Sequence, residues 1–210
     1  YAVVRRAPQE DLPRSLGDFS HIILAGSKTS ILDSSSWVLQ LMNFVRMGLA
    51  AKIPMLGICY GHQIIARAVG GDSVVRVSQT PEVGWVEIEQ TAQHPLLAEL
   101  QSKFYAFQSH YEEVCALPEG FVGTAQSPRC GVQSYFVKAA PVFGMQFHPE
   151  RNTAEGHCTI AAAKKKLSPE SDCIFGDRKA VSFFDENVAQ TIFKKFLHTE
   201  WTSLGKKNSR

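Results

Sequence analysis

Two short segments of this chain carry residue types that can do covalent chemistry. The first is Gly57-Ile58-Cys59-Tyr60-Gly61, a cysteine in the middle of a Gly-x-Cys-x-Gly pattern, at the point where the apolar run 53–58 gives way to a helix-like stretch from about His62. Glycine on both sides permits the sharp, strained turn that exposes a nucleophile at the end of a strand, as in the serine elbow Gly-x-Ser-x-Gly. Free backbone amides and the positive end of the helix dipole would lie beside the sulfur and favour its thiolate. A lone cysteine more often packs as a small hydrophobe. The paired glycines at a strand-to-helix junction weigh toward chemistry instead.

A cysteine nucleophile needs a base. Gly144-Met145-Gln146-Phe147-His148-Pro149-Glu150 ends a second strand-like run. Residues two apart on extended backbone project to the same side, so Glu150 can hold one ring nitrogen of His148 while the other faces a thiol. An isolated His-x-Glu is equally consistent with a structural histidine. Its place at a strand end complements the cysteine elbow.

Elements capable of positioning these residues are legible in the apolar pattern. Residues 2–4, 21–25 and 53–58 read as strands and 37–50 as a helix, the alternation of an α/β fold. The runs Ile22-Ile23-Leu24-Ala25 and Pro54-Met55-Leu56-Gly57-Ile58 are continuously apolar, as expected of parallel strands covered by helices on both faces. Short strand candidates at 74–77, 85–89, 104–107, 121–125, 131–137 and 142–147 follow in quick succession. With turn signals at Pro118-Glu119-Gly120 and Ser127-Pro128, they imply hairpins, or an antiparallel extension of the sheet. Residues 153–166 read as a helix and 167–179 as irregular. A last helix over 186–197 aligns Val188, Ile192, Phe193 and Phe196 on one core-facing stripe. One domain over 1–210 is expected. Segment 7–20, with Pro8 and Pro13, scarcely accommodates a crossover helix, so residues preceding Tyr1 are expected to be missing.

Bulk properties exclude other classes. A formal net charge of +2 offers no general attraction to nucleic acid or an anionic membrane, and no apolar run approaches the length that crosses a bilayer. The basic run 164–166 and the tail with Lys206, Lys207 and Arg210 read as solvated surface. Five cysteines, an odd number without a Cys-x-x-Cys pair, fit a reducing cytoplasm. His157 beside Cys158 lacks a second pair at zinc-site spacing, so neither metal nor cofactor is expected.

Gly57-Ile58-Cys59-Tyr60-Gly61-His62-Gln63 followed by Gln146-Phe147-His148-Pro149-Glu150 closely resembles the paired signatures of class I glutamine amidotransferases. The likeness extends to residues 22–27, to Glu82-Val83-Gly84-Trp85 and to 107–114, and spans roughly residues 3–150. Within the family it is nearest to stand-alone proteins similar to the amidotransferase part of GMP synthase. The resemblance implies a flavodoxin-like, mostly parallel sheet with helices on both faces and a small antiparallel extension. It implies a triad of Cys59, His148 and Glu150, and oxyanion-binding amides at Gly26 and Tyr60. Gln63, with the backbone near His110 and Tyr111, corresponds to the glutamine site. Residues 1–6 correspond to the family's second strand, so the resemblance leads one to expect the family's first strand and helix ahead of Tyr1.

The implied activity is hydrolysis of the glutamine side-chain amide to glutamate and ammonia through a cysteine thioester, the ammonia passing to an unknown acceptor, in the family usually on a synthetase domain or subunit that would be a possible partner. Departures from the pattern bear on substrate. Gly26-Ser27-Lys28 stands where the family commonly has Gly-Gly-Pro, Arg151 where it often has Ser, and Tyr111-Glu112 where synthase-like members have Gly-Asp. A γ-glutamyl peptide or amide hydrolase using the same triad, and a noncatalytic ligand-binding regulator, are the alternatives.

Overall fold

A computed structural model describes residues 2–167, 171–175, 187–199 and 201. Its centre is the parallel arrangement of β1 (Ile22–Leu24), β2 (Met55–Ile58) and β7 (Val142–Met145). From β7 the sheet continues antiparallel through β6 (Ser134–Val137), β5 (Phe121–Gln126), β3 (Val75–Gln90) and β4 (Lys103–Val114). A two-residue strand β8 (Ile174–Phe175) adds to β3 in parallel. The α/β class with a parallel centre and an antiparallel extension is as the sequence led one to expect.

Alternation along the central strands distributes the helices. Met55 and Val142 face one side, where they pack with Val38, Leu41 and Val45 of α1 (Ser36–Ala50) and Ile64, Ile65 and Ala68 of α2 (Tyr60–Gly70). Leu56, Ile58, Phe143 and Met145 face the other side and meet Val188, Ile192 and Phe196 of α4 (Asn187–His198). Burying such side chains stabilises by about 2 kcal/mol each, so apolar strands covered on both faces fix the layer order. The intervening helix α3 (Thr153–Lys166) lies over β3 and β4, with Ile160 and Ala163 against Trp85 and Phe107. It starts from a capping box in which the Glu155 N–H donates to Asn152 Oδ1 at 2.9 Å and the Asn152 N–H to Glu155 Oε2 at 3.2 Å.

Several expected boundaries shift. Residues 2–4 form no strand; Val3 and Val4 are exposed on an irregular segment without ladder partners among the described strands. The candidates 74–77 and 85–89 merge into the sixteen-residue β3, whose register against β4 shifts between Val77 and Glu82. Strand 104–107 runs on to Val114, because Gln108, His110 and Glu113 find polar partners inside the fold and need not leave the sheet. Residues 131–133 and 146–147 lie outside the strands predicted to contain them. Ile174–Phe175, expected to be irregular, pairs with Val83 and Gly84. The basic tail at Lys206, Lys207 and Arg210 and position Glu186 lie outside the described residues. Among the described residues, no helix is long and apolar enough to cross a membrane.

Candidate active site

Cys59 sits between β2 and α2 with φ +51° and ψ −104°, a backbone conformation that a side-chain-bearing residue adopts only when its surroundings enforce it. Its N–H donates to the Met145 carbonyl at 2.8 Å, and its carbonyl accepts from the Gln63 N–H at 3.0 Å, closing the first turn of α2. The flanking glycines are sterically required. A Cβ on Gly57 would stand 2.6 Å from the Gly61 carbonyl, and one on Gly61 would overlap the Leu24 backbone oxygen. The elbow is therefore pressed against β1 and locked to β7.

The other half of the site enters from the end of β7. The backbone N–H of His148 donates to the Phe107 carbonyl of β4 at 2.7 Å, which fixes the residue over the sheet edge. Its Nδ1 lies 2.7 Å from Glu150 Oε1, leaving Nε2 as the nitrogen for the sulfur of Cys59. Burial alone would lower the His148 pKa. Hydrogen bonds and charge from Cys59 and Glu150 outweigh that effect and raise it to about 10. The partners on its two ring nitrogens thus favour the protonated imidazole. The sulfur also lies 3.9 Å from the Ser109 carbonyl of β4.

Gly26 borders both groups: a Cβ there would be 3.0 Å from His148 Cε1 and 3.7 Å from Cys59 Cβ. The Tyr60 N–H belongs to the first turn of α2 and has no acceptor within the helix. Only its amide is available to the site, because the Tyr60 ring is buried next to Trp37, with centroids 6.2 Å apart and its hydroxyl pushed by burial up to about 12. Cys59, His148 and Glu150 are brought together, with Gly26 and Tyr60 beside them.

The three residues expected at a substrate site are placed differently from one another. Gln63 directs its side-chain amide inward, donating to the Glu112 carbonyl at 2.7 Å and to Gln146 Oε1 at 2.9 Å. His110 is buried, with Nε2 3.0 Å from Glu82 Oε2 and Nδ1 3.1 Å from the Glu112 carbonyl. Tyr111 is 46% exposed. What remains for a ligand is the β4 backbone around Ser109 to Tyr111, together with the Tyr111 ring.

Sequence reasoning missed the polar group behind β4. Glu82, fully buried, accepts from Ser127 Oγ at 2.8 Å and Gln133 Nε2 at 2.8 Å as well as facing His110, and Gln108 Nε2 donates to Gln133 Oε1 at 2.7 Å. The available signal was the spacing of Gln108 and His110, two apart in a segment that otherwise continues a strand.

Residues 3–165 match the family model for glutamine amidotransferase class-I. Among curated relatives, a subunit of the glutamine-hydrolysing GMP synthase from Methanocaldococcus jannaschii is 37% identical over 123 residues, 59% of this chain and 64% of that protein. The chain thus spans just under two thirds of that relative's length. The corresponding GMP synthase subunit from Sulfurisphaera tokodaii is 34% identical over 142 residues, 67% of this chain and 73% of its own. The crystal structure of a glutamine amido transferase from Methylobacillus flagellatus superposes with a TM-score of 0.78 at 23% identity, covering 90% of this chain and 81% of that one. At that identity the likeness is one of fold.

Proposed function

Because the chain belongs to the class-I glutamine amidotransferase family, we propose that it hydrolyses the side-chain amide of glutamine to glutamate and ammonia, with Cys59 as nucleophile. The observation that carries the proposal is the placement of Cys59 on a strained strand-to-helix elbow with His148 beside it, its Nδ1 held by Glu150 at 2.7 Å.

In the first step the Cys59 thiolate attacks the amide carbon, and the carbonyl oxygen takes up negative charge between the Gly26 and Tyr60 amides. Removing one such donor costs on the order of 3 kcal/mol of transition-state stabilisation. Collapse of this intermediate expels the amine, which takes the proton held on His148 and leaves as ammonia, with a γ-glutamyl thioester on Cys59. The now neutral His148 accepts a proton from water, whose oxygen attacks the thioester; the sulfur departs and glutamate is released. Glu150 keeps Nδ1 occupied throughout, so Nε2 is the nitrogen that cycles.

The relatives named as subunits of a glutamine-hydrolysing GMP synthase suggest that ammonia passes to a synthetase partner rather than to solvent. A reducing cytoplasm suits the unpaired Cys59. A second reading, cleavage of a γ-glutamyl peptide or amide, is favoured by Tyr111, whose exposed ring, two residues beyond the Ser109 carbonyl that faces the Cys59 sulfur, offers a contact to a group larger than ammonia. Product analysis separates the readings. Release of glutamate and ammonia from glutamine, lost in Cys59→Ala, supports the first. Turnover confined to γ-glutamyl compounds supports the second, and a protein inert to all of them is a noncatalytic regulator.

A further inference from the structure

We propose that Glu112 is a positioning residue that holds the loop after Gly26 in register for oxyanion stabilisation, an inference that rests on the hydrolytic reading above. Glu112 lies near the end of β4, three residues beyond the Ser109 carbonyl that faces the Cys59 sulfur. Its carboxylate reaches across to another segment, accepting from the Ser30 hydroxyl and, at 2.7 Å, from the Ile31 N–H. Its own carbonyl accepts from Gln63 Nε2 at 2.7 Å and faces His110 Nδ1 at 3.1 Å. One residue therefore joins β4, the first turn of α2 and the loop that begins at Gly26.

The loop is clamped from the opposite side by a cation. Arg67 of α2, 2% exposed, donates to the Ile31 carbonyl at 2.6 Å and the Asp33 carbonyl at 2.5 Å, with Asp72 2.8 Å from its Nε. Ile31 thus has its N–H held by a carboxylate and its C=O by a guanidinium, and its side chain is fully buried. Charge-assisted bonds of this kind are roughly twice as strong as neutral ones. Two of them on one residue fix that stretch of backbone.

Gly26 is only four residues before Ser30, a span too short to absorb a rotation of the loop. An oxyanion donor acts within a narrow range, about 2.7–3.1 Å from the developing charge, so a shift of the Gly26 amide by a fraction of an ångström weakens it. Formation of the thiolate does not pass through this loop, because it depends on His148 and the α2 terminus. Loss of the Glu112 carboxylate should therefore lower kcat while leaving KM and the intrinsic reactivity of Cys59 nearly unchanged. A general collapse of the site would lower all three.

The test compares wild type, Glu112→Ala, Glu112→Gln and Ser30→Ala for steady-state hydrolysis of glutamine, or of the γ-glutamyl compound that wild type turns over. The rate of Cys59 alkylation by iodoacetamide, whose displacement develops no oxyanion, is measured on the same samples. The expected result is a kcat roughly ten- to a hundredfold lower in Glu112→Ala. KM and alkylation should change less than about threefold, most activity should return in Glu112→Gln, which keeps an acceptor for Ile31, and Ser30→Ala should show a smaller loss. Wild-type kcat in Glu112→Ala, alkylation falling in step with kcat, or Glu112→Gln no better than Ala would overturn the proposal. Should Glu112→Ala not fold, Ser30→Ala decides by the same split, wild-type kcat in that variant, or alkylation falling in step with kcat, counting against the proposal. A wild-type protein inert to every γ-glutamyl substrate overturns the hydrolytic reading itself, whereas an active wild type with an unaffected Glu112→Ala sinks this inference alone.

Discussion

The Cys59 N–H is bonded to the Met145 carbonyl at 2.8 Å, so the proposed nucleophile hangs from the strand whose continuation, three residues on, supplies His148. The neighbouring register sets Gly57 of β2 opposite Gly144 of β7, both under α2, where a Cβ on Gly144 would stand 2.5 Å from Tyr135 Cζ and 2.8 Å from His62 Nδ1. Two bare positions side by side let the helix that begins at the cysteine lie close on the parallel strands. The approach of thiol and imidazole follows from this packing.

A first prediction concerns pH. Glu150, 2.7 Å from Nδ1, helps hold the proton on His148, whose pKa is raised to about 10. Removing the carboxylate in Glu150→Gln takes away one of the groups that hold the proton on His148. The alkaline limb of the kcat/KM profile should then move to lower pH. The same raised pKa contributes stability that is complete below about 6.5 and lost as pH rises through about 10. Urea midpoints of Glu150→Gln and wild type should therefore converge toward that pH.

Gly26 offers a second. An alanine Cβ there would press to within 3.0 Å of His148 Cε1 and 3.7 Å of Cys59 Cβ. Gly26→Ala should lower kcat by roughly a hundredfold, on the scale of losing one oxyanion donor, while the melting temperature changes little. Parallel assays of kcat and thermal unfolding check this.

Backbone crowding at Gly61 supplies a third. An added Cβ would meet the Leu24 main-chain oxygen, which cannot move without displacing β1, so Gly61→Ala should destabilise by about 3 kcal/mol. Gly131, where a Cβ meets nothing within 4 Å, is the control, and alanine there should stay within about 0.5 kcal/mol in denaturant titrations.

A fourth concerns acid stability. His94 is buried, stacked on Phe136 at 5.1 Å and close to Phe143 at 4.7 Å, and burial lowers its pKa to about 4. Because the unfolded chain takes up this proton more readily, the stability held above about pH 6.5 is lost as pH falls from there through about 4. His94→Phe removes that dependence but leaves the Leu96 N–H, which His94 Nδ1 accepts at 3.3 Å, without its partner. The variant should be less stable at pH 7 by about 1 kcal/mol and show a shallower decline toward pH 4. Denaturant unfolding across that range measures both.

Features governed by local rules were legible in the sequence. The glycine-flanked Cys59, the His-x-Glu at a strand end and the continuous apolar strands each carry their reason within a few residues, and α1, α3 and α4 follow from apolar spacing. The continuation of β4 past Phe107 was hidden because its polar residues are satisfied by Glu82, Gln133 and Arg76, partners that only the assembled sheet provides. Strand β8 is too short to carry a pattern and exists by virtue of pairing with β3. Residues 2–4 have strand-like composition without a described neighbour to pair with, showing that propensity alone does not make a strand. The inward course of Gln63 and the clamp by Glu112 likewise depend on groups about fifty and eighty residues away in the chain.

The central claim is a covalent intermediate on Cys59, and it is tested most directly by mass analysis of the protein quenched in acid during turnover of glutamine or of its best γ-glutamyl substrate. The account predicts one γ-glutamyl group on the peptide that contains Cys59, removable by hydroxylamine and absent from Cys59→Ala, which should release no glutamate. Turnover that persists in Cys59→Ala, or an adduct on any of the other four cysteines with residue 59 unmodified, would contradict it.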